Sequence, residues 1–162
     1  MLEIHPDAVV DESVRFYPSV RGTQIVIGAR THIDAFAVLR AVGGMGDIII
    51  GDDCRINPHC VLYSGNGITL GKHVLLAPAV SVVPANHAFA RRDIPIAEQR
   101  FVESRGGVVI EDDVWVGAQS VILDGAYIER GAIIAAGSVL RGRVPAYQIW
   151  GGVPARYLKD RP

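Results

Sequence analysis

His87 is the side chain with the clearest capacity for chemistry, because an imidazole titrates near neutral pH and can take up and return a proton. It lies in residues 84–107, which read PANHAFARRDIPIAEQRFVESRGG. A base of this kind can remove the proton of a hydroxyl group as its oxygen attacks an electrophilic carbon. Asn86, Asp93 and Gln99 are polar neighbours in the same segment, and we expect them to bind the acceptor or to hold the loop.

The other histidines and the cysteines give no sign of a metal site. His59, His73 and His87 are spaced by 14 residues, which does not match the six-residue repeat described below. Zinc needs several imidazoles that converge on it at about 2.0–2.1 Å, so we expect no metal. Cys54 and Cys60 are the only cysteines, and we expect buried thiols without a redox role.

Cationic side chains gather near the end of the chain. They are Arg141, Arg143, Arg156 and Lys159. Such groups bind phosphates well, although solvated residues that keep a terminus soluble are the alternative. Arg91 and Arg92 are adjacent cations in the 84–107 segment, and we consider them for contact with a phosphate on an acceptor.

A repeat of six residues predicts the elements that position these side chains. The aliphatic residues at every sixth place are Ile110, Val116, Ile122, Ile128, Ile134 and Leu140. A chance match of this kind has a probability on the order of one in a thousand, and neither a helical nor a strand period explains it. A six-residue repeat is typical of a parallel β-helix, in which each hexad forms one flat side and three hexads form one coil.

The same repeat extends towards the amino terminus with interruptions. The earlier runs are Ile27, Ile33 and Leu39; then Ile50, Ile56, Leu62 and Ile68; then Leu70, Leu76 and Val82. Val14 and Val20 give an imperfect first run. The breaks at residues 42–47 and 65–67 fit insertions at corners, which a solenoid tolerates.

Two segments depart from the repeat altogether. Residues 84–107 predict one long protruding loop, whose apolar side chains suggest that it packs on something. The repeat ends after residue 144, so residues 145–162 are expected to cap the last coil. Within this cap we expect residues 155–159 to form a short helix with Pro154 at its first turn.

Length and composition narrow the class of protein. The chain has 162 residues and 49% hydrophobic residues, which fits a single domain over residues 1–162 with a continuous core. Its net charge of −1 argues against nucleic acid or an acidic membrane as the main partner. We find no apolar run of about 20 residues and no signal-peptide pattern, and therefore expect a cytoplasmic protein without stable membrane insertion.

Four segments closely resemble the hexapeptide-repeat acyltransferases. They read NHAFARRDIPIAEQ (86–99), VWVGAQSVIL (114–123), IIAAGSVL (133–140) and GGVPARYLK (151–159). The resemblance is strongest to the sugar O-acetyltransferase branch, which includes galactoside, maltose and polysaccharide-biosynthesis acetyltransferases. It implies an all-β fold made of a single left-handed parallel β-helix, a homotrimer, and acetyl-CoA as the acyl donor. The handedness is implied by the resemblance alone, since crossover connections are generally right-handed.

The resemblance also implies roles for individual residues. His87 matches the base of the family's loop motif, and Trp115, placed outward at a corner, matches a residue beside the pantetheine arm, with subunit packing as the alternative. Gly117 matches a position where the thioester approaches closely and where backbone N–H groups at a corner stabilise the oxyanion. The remaining donor-binding residues would be Ala118, Ala135, Ala136, Arg141, Arg143, Arg156 and Lys159.

The sequence therefore predicts an acetyl-CoA-dependent O-acetyltransferase that acts on a sugar or sugar-containing acceptor, with His87 as the general base. Three alternatives stay open. One is an N-acetyltransferase acting on a nucleotide-linked amino sugar. Another is a γ-type zinc carbonic anhydrase, although no histidine lies four or five residues after His87. The third is a non-catalytic trimeric scaffold.

Overall fold

The computed structural model describes residues 1–42 and 46–162. Its strands are two to six residues long and form three sheets. From β1 to β20 each strand pairs in parallel with the third one along the chain, as a parallel β-helix requires. The chain passes from the first sheet to the second and then to the third, and the six strands of the third sheet mark six complete coils. Residues 43–45, part of the interruption predicted at residues 42–47, lie outside the described residues.

The bounds of the strands follow the order of each sheet. The first sheet contains β1 (Leu2–Ile4), β4 (Ile25–Ile27), β7 (Ile48–Ile50), β10 (Ile68–Leu70), β13 (Val108–Ile110), β16 (Ala126–Ile128) and β19 (Arg143–Val144). The second contains β2 (Val9–Val10), β5 (His32–Ile33), β8 (Arg55–Ile56), β11 (Leu75–Leu76), β14 (Trp115–Val116), β17 (Ile133–Ile134), β20 (Gln148–Gly152) and β21 (Ala155–Asp160). The third contains β3 (Arg15–Tyr17), β6 (Val38–Arg40), β9 (Val61–Tyr63), β12 (Ser81–Val83), β15 (Val121–Leu123) and β18 (Val139–Leu140).

The aliphatic residues of the repeat stack in columns inside the prism, as the period predicts. Ile50, Leu70 and Ile110 are aligned in register on successive strands of the first sheet, and all three are buried. Full burial of a side chain of this size contributes about 1.5–3 kcal/mol. The columns therefore hold the coils together along the whole prism.

The first coil corrects one detail of the predicted repeat. Val20 is fully exposed and Val14 is buried, so these two residues do not form one inner column. The inner positions of the first coil are Ile4, Val10 and Phe16, which pair with Ile27, Ile33 and Leu39. The pairing skips Val20 because it falls in the connection between β3 and β4, outside both strands.

The C-terminal cap is a strand hairpin, so the predicted short helix is wrong. Residues 155–159 lie in β21, which runs antiparallel to β20. A helix of five residues is marginal in water, whereas β20 is the last strand of its stack and offers unpaired N–H and C=O groups. Arg161 ties the end of this cap to the prism, because its guanidinium donates to Asp113 at 2.8 Å.

The chain leaves the prism between β12 and β13. In this excursion the structure has a short 3-10 helix, Ile96–Glu98, and one isolated antiparallel bridge. Within the two described ranges, no helix has the length and apolar character needed to cross a membrane.

Candidate active site

His87 lies on one arm of a narrow hairpin inside the protruding loop. It forms an antiparallel bridge with Phe101, and the two rings contact each other with centroids 4.6 Å apart. The amide of Val102 donates to the carbonyl of Asn86 at 3.0 Å. These contacts fix the backbone on both sides of the imidazole, which itself remains exposed.

The hydrogen bonding of His87 selects one tautomer. Its Nδ1 lies 3.1 Å from the carbonyl oxygen of Arg100. A carbonyl oxygen only accepts, so the Nδ1 atom carries the hydrogen and the neutral ring leaves the Nε2 lone pair available. In the described part of the chain Nε2 has no hydrogen-bond partner. The ring is therefore oriented to accept a proton from a molecule in front of it.

A buried carboxylate holds the base of the loop. Asp124 is fully buried, and its oxygens accept hydrogen bonds from the amides of Arg105 at 2.8 Å and Gly107 at 2.9 Å. The same carboxylate accepts from Asn66 Nδ2 at 3.2 Å, and the amide of Asn66 donates to the carbonyl of Pro84 at 3.0 Å. Both ends of the loop are thus attached to one corner of the prism. Sequence reasoning missed Asp124, since its partners are distant along the chain.

His87 opens onto a cleft of about 660 Å³ between the loop and the third sheet. Its lining combines the loop hairpin with the end of the prism: Asn86, His87, Phe89, Glu103, Arg105, Leu123 and Arg141 are among the residues. A second cleft of about 370 Å³ shares Leu123 and Arg141 with the first and extends to Arg156. The two form one groove that runs from the imidazole to the C-terminal hairpin.

The four predicted phosphate-binding cations separate into two groups. Arg141 and Arg156 line the groove. Arg143 points to the first sheet instead, where its guanidinium pairs with Glu129 and holds the pKa of that carboxyl below its usual range. Lys159 is exposed on β21 and lines neither cleft. Arg141 and Arg156 therefore lie where a ligand in the groove could contact them, Arg143 forms an ion pair elsewhere, and phosphate binding stays a prediction for all four cations.

Two of the three residues predicted to bind the acceptor hold the loop. Gln99 donates from Nε2 to the carbonyls of Arg91 at 2.7 Å and Ile94 at 3.1 Å, and its Oε1 accepts from the Arg91 amide at 3.0 Å. Asp93 pairs with the Arg91 guanidinium, which lowers the pKa of the carboxyl. Only Asn86 lines the cleft. Since Arg91 is engaged with Asp93, it is a poor candidate for an acceptor phosphate.

The amide of Gly117 is not free to stabilise an oxyanion. It donates to the carbonyl of Ile134 at 2.7 Å, and a Cβ at this glycine would lie 2.4 Å from the amide nitrogen of Ala136. Gly117 is therefore required for the close approach of the next coil. The Ala135 amide is also engaged, with the carbonyl of Trp150 at 2.8 Å.

Ala118 and Ala136 keep the features expected of a donor groove. Both lie at turns between strands, and Ala136 is exposed. Their amides have no acceptor among the described residues. These two amides can still pair with a pantetheine arm, and that role stays a prediction.

Trp115 is the first residue of β14 and follows directly after the turn at residues 112–113. It is 47% exposed and stands between Leu75 and Ile133 on the outer face of the second sheet. The groove belongs to the third sheet, so one chain does not bring Trp115 and His87 together. A contact between Trp115 and the donor requires a second prism, and it stays a prediction.

The two cysteines do not form a second reactive centre. Burial raises the pKa of the Cys54 and Cys60 thiols to about 11, so both are protonated and unreactive at neutral pH. Among the residues that the structure describes, no group of three or more His, Cys, Asp or Glu side chains is arranged to hold a metal ion.

The repeat region matches a known family. Residues 107–142 match the family described as bacterial transferase hexapeptide (six repeats). The putative lipopolysaccharide biosynthesis O-acetyl transferase WbbJ of Escherichia coli (strain K12) is 30% identical over an aligned length of 155 residues, and the match covers 92% of this chain and 72% of that protein. The chain belongs to the hexapeptide-repeat acyltransferases. It is thus an enzyme of the transferase type, and its prism is a left-handed parallel β-helix.

One solved structure and one further relative that resemble this hexapeptide acyltransferase are named for different activities. The crystal structure of a variant of AntD, an N-acyltransferase from Bacillus cereus in complex with dTDP-4-amino-4,6-dideoxyglucose and coenzyme A, superposes with a TM-score of 0.82. It is 24% identical and covers 99% of this chain and 84% of its own. Gamma carbonic anhydrase 2, mitochondrial, of Arabidopsis thaliana is 31% identical over 71% of this chain, which spans 44% of that protein.

Proposed function

We propose that this hexapeptide acyltransferase is an acetyl-CoA-dependent O-acetyltransferase that acts on a sugar or a sugar-containing acceptor. The observation that carries the proposal is the setting of His87: Nδ1–H donates to the Arg100 carbonyl, and the exposed imidazole lines a cleft. The O-acetyl transferase name of WbbJ, which matches nearly the full chain, supports oxygen as the attacking atom.

The transfer step follows from this orientation. Nε2 of His87 takes the proton of a sugar hydroxyl while the hydroxyl oxygen bonds to the thioester carbon. The tetrahedral intermediate then breaks its carbon–sulfur bond, and the departing thiolate takes the proton from the imidazolium. The products are the sugar acetate and free CoA, and the imidazole is neutral again. Arg141 and Arg156 would hold the nucleotide end of CoA in the groove.

We further propose that the enzyme is a homotrimer and that the donor lies between two neighbouring prisms. This arrangement gives the exposed Trp115 a position along the pantetheine arm bound at a neighbour's His87. It also leaves the amides of Ala118 and Ala136 facing the same interface. Sedimentation analysis tests the assembly, and a monomer that is fully active would contradict it.

The test of the reaction is acetyl transfer to a panel of sugars and amino sugars, followed by mass spectrometry. We expect His87→Ala to lower turnover by about 10²–10⁴-fold without loss of folding. His73→Ala is the matched control, since His73 is an exposed imidazole at a corner of the prism and should leave turnover unchanged. Full activity of His87→Ala would remove His87 as the base.

An N-acetyltransferase acting on an amino sugar is the second candidate, because AntD is an N-acyltransferase with the same fold. Treatment of the product with hydroxylamine separates the two, since it cleaves an ester and leaves an amide intact. Transfer only to amino sugars, with a product that resists hydroxylamine, would replace the O-acetyl assignment. If the protein binds zinc and hydrates CO₂ rapidly, a carbonic anhydrase would replace both acetyltransferase assignments.

A further inference from the structure

Three side chains outside the cleft form a stack on the outer face of the third sheet. The Arg40 guanidinium carbon lies 5.2 Å from the centroid of the Tyr17 ring and 5.9 Å from that of Tyr63. The three residues are aligned in register on β3, β6 and β9. We call Tyr17, Arg40 and Tyr63 the Tyr–Arg ladder.

The ladder and the active-site cleft share one column of the sheet. Val83 pairs with Leu123, which lines the cleft. Continuing the strand register by one residue places Val83 beside Tyr63 and Arg141 beside Leu123. Arg40 is then three coils from Leu123, a distance of about 14 Å at the strand spacing of a sheet. This distance is longer than a single sugar ring.

Arg40 is held in place and remains free to bind. Its side chain is exposed, and no carboxylate pairs with it in the described residues. The two tyrosine rings restrict a side chain that is otherwise flexible, and this lowers the entropy lost when it binds a ligand. A guanidinium presents a fork of N–H donors that matches phosphate oxygens, and the tyrosines add flat faces on which a ring can stack.

We propose that the Tyr–Arg ladder binds the phosphate-bearing part of the acceptor while the sugar to be acetylated lies at His87. The inference rests on the proposed function, since it extends the acceptor from the same cleft. The ligand is a sugar joined to a phosphate or diphosphate. The phosphate belongs either to a nucleotide, whose base stacks on a tyrosine, or to a lipid carrier.

Isothermal titration calorimetry with pyrophosphate, UDP and farnesyl diphosphate tests the ladder directly. The titrations contain saturating CoA, so that the phosphate-binding arginines of the groove are occupied. We expect all three probes to bind the wild-type enzyme and Arg40→Gln to weaken each by at least about tenfold, as for a charged hydrogen-bonding group. Tighter binding of UDP identifies a nucleotide, and tighter binding of farnesyl diphosphate identifies a lipid carrier.

Arg15→Gln is the matched control. Arg15 lies on the same sheet and loses the same charge, but its guanidinium donates to the carbonyls of Glu12 and Val14 and stands outside the ladder column. We expect this variant to bind the probes within about twofold of wild type. If the two variants lose the same affinity for the probes, or if the wild type does not bind them, the Tyr–Arg ladder is not a phosphate-binding site.

Activity assays separate this inference from the proposed function. If the wild type acetylates a free sugar but pyrophosphate and UDP neither bind nor compete with the acceptor, the Tyr–Arg ladder is not a phosphate site, and the proposed reaction is unaffected. If no sugar is acetylated while Arg40-dependent binding of the probes persists, the reaction is wrong and the phosphate site stands. If no sugar is acetylated and the probes do not bind through Arg40, both the proposed function and the phosphate site are wrong.

Discussion

The Asp124 carboxylate accepts a hydrogen bond from the Gly107 amide at 2.9 Å, and both residues are buried. Its other oxygen accepts from the Arg105 amide. The residue that closes the loop is therefore attached to the prism just where the chain returns to β13. Because the loop also carries His87, this contact links the stability of a corner to the position of the proposed base.

We predict that Asp124→Asn impairs turnover more than folding. An asparagine offers one accepting oxygen and an NH₂ group that faces an N–H donor, so at least one of the three hydrogen bonds is lost. A small displacement of a base costs between about tenfold and a hundredfold in rate. We expect kcat to fall by that factor while KM for acetyl-CoA stays within about twofold, as measured by steady-state kinetics.

Asp52→Asn is the control for this prediction. Asp52 is also a corner carboxylate that accepts a backbone N–H, from Ala29 at 3.0 Å, and it lies away from the loop. We expect its thermal midpoint to fall modestly with kcat unchanged. If Asp124→Asn and Asp52→Asn have the same kinetic constants, Asp124 does not position the base.

Arg141 and Arg156 are predicted to bind the nucleotide end of acetyl-CoA, since they are the two cations of the C-terminal group that line the groove. We expect either change to Gln to raise KM for acetyl-CoA by about tenfold. The constants for acetyl-pantetheine, which lacks the nucleotide phosphates, should not change. Arg143→Gln removes the same charge from a residue bound to Glu129, and should leave KM for both donors unaltered.

The outcome that would contradict this division is a large KM effect in Arg143→Gln with none in Arg141→Gln. It would mean that the nucleotide lies on the first sheet. Measurements at two salt concentrations add a second readout, because contacts between cations and phosphates weaken as salt rises. The dependence on salt should diminish in Arg141→Gln and persist in Arg143→Gln.

Arg141 and Arg143 show what the six-residue repeat predicts and what it does not. A period of six identifies the inner columns, because each hexad buries the same side of the chain, and so the prism and the interruption around His87 were predictable. Two residues on either side of a corner, however, belong to different sheets: Arg141 follows β18 in the third and Arg143 begins β19 in the first. Proximity in the sequence therefore does not show that these two arginines lie on different sheets, and their binding of phosphate stays a prediction.

Contacts that form only in the folded chain account for the other features that the sequence did not predict. Asn66 and Asp124 are 58 residues apart, and their contact exists only because insertions bring two corners together. Gln99 was expected to bind the acceptor or to hold the loop; its amide donates to two backbone carbonyls of its own loop, and a contact with the acceptor stays a prediction. The hairpin of β20 and β21 formed for a similar reason, since pairing along an open edge depends on tertiary context and not on local helix propensity.

The two cysteines predict a loss of stability at alkaline pH. Burial raises the thiol pKa from 9.0 to about 11 for Cys54 and Cys60, so the folded state binds protons that the unfolded state releases. The free energy of unfolding should be unaffected below pH 9 and should fall as the pH rises from about 9 to about 11. Urea unfolding at several pH values measures this slope, which the double change to Ala should reduce.

Thiol labelling gives an independent readout of the same burial. We expect the native enzyme at pH 8 to react with a disulfide reagent far more slowly than the enzyme in urea, because only the thiolate attacks. Rapid labelling of both thiols in the native state would show that the corner around Cys54 or Cys60 opens readily. The alkaline loss of stability would then need another cause.

Gly117→Ala is expected to destabilise the fold without a specific effect on catalysis. The added Cβ would lie 2.4 Å from the Ala136 amide nitrogen, and crowding of this kind costs about 1–3 kcal/mol. Gly137→Asn is the matched control at a neighbouring corner: its φ of +68° favours glycine, but nothing lies within 4 Å of its Cβ position, and Asn tolerates that conformation. Calorimetry should show a fall in thermal midpoint for Gly117→Ala that clearly exceeds that for Gly137→Asn. If Gly117→Ala instead has a normal thermal midpoint and loses turnover, the result would support the close contact between Gly117 and the thioester that the sequence predicts.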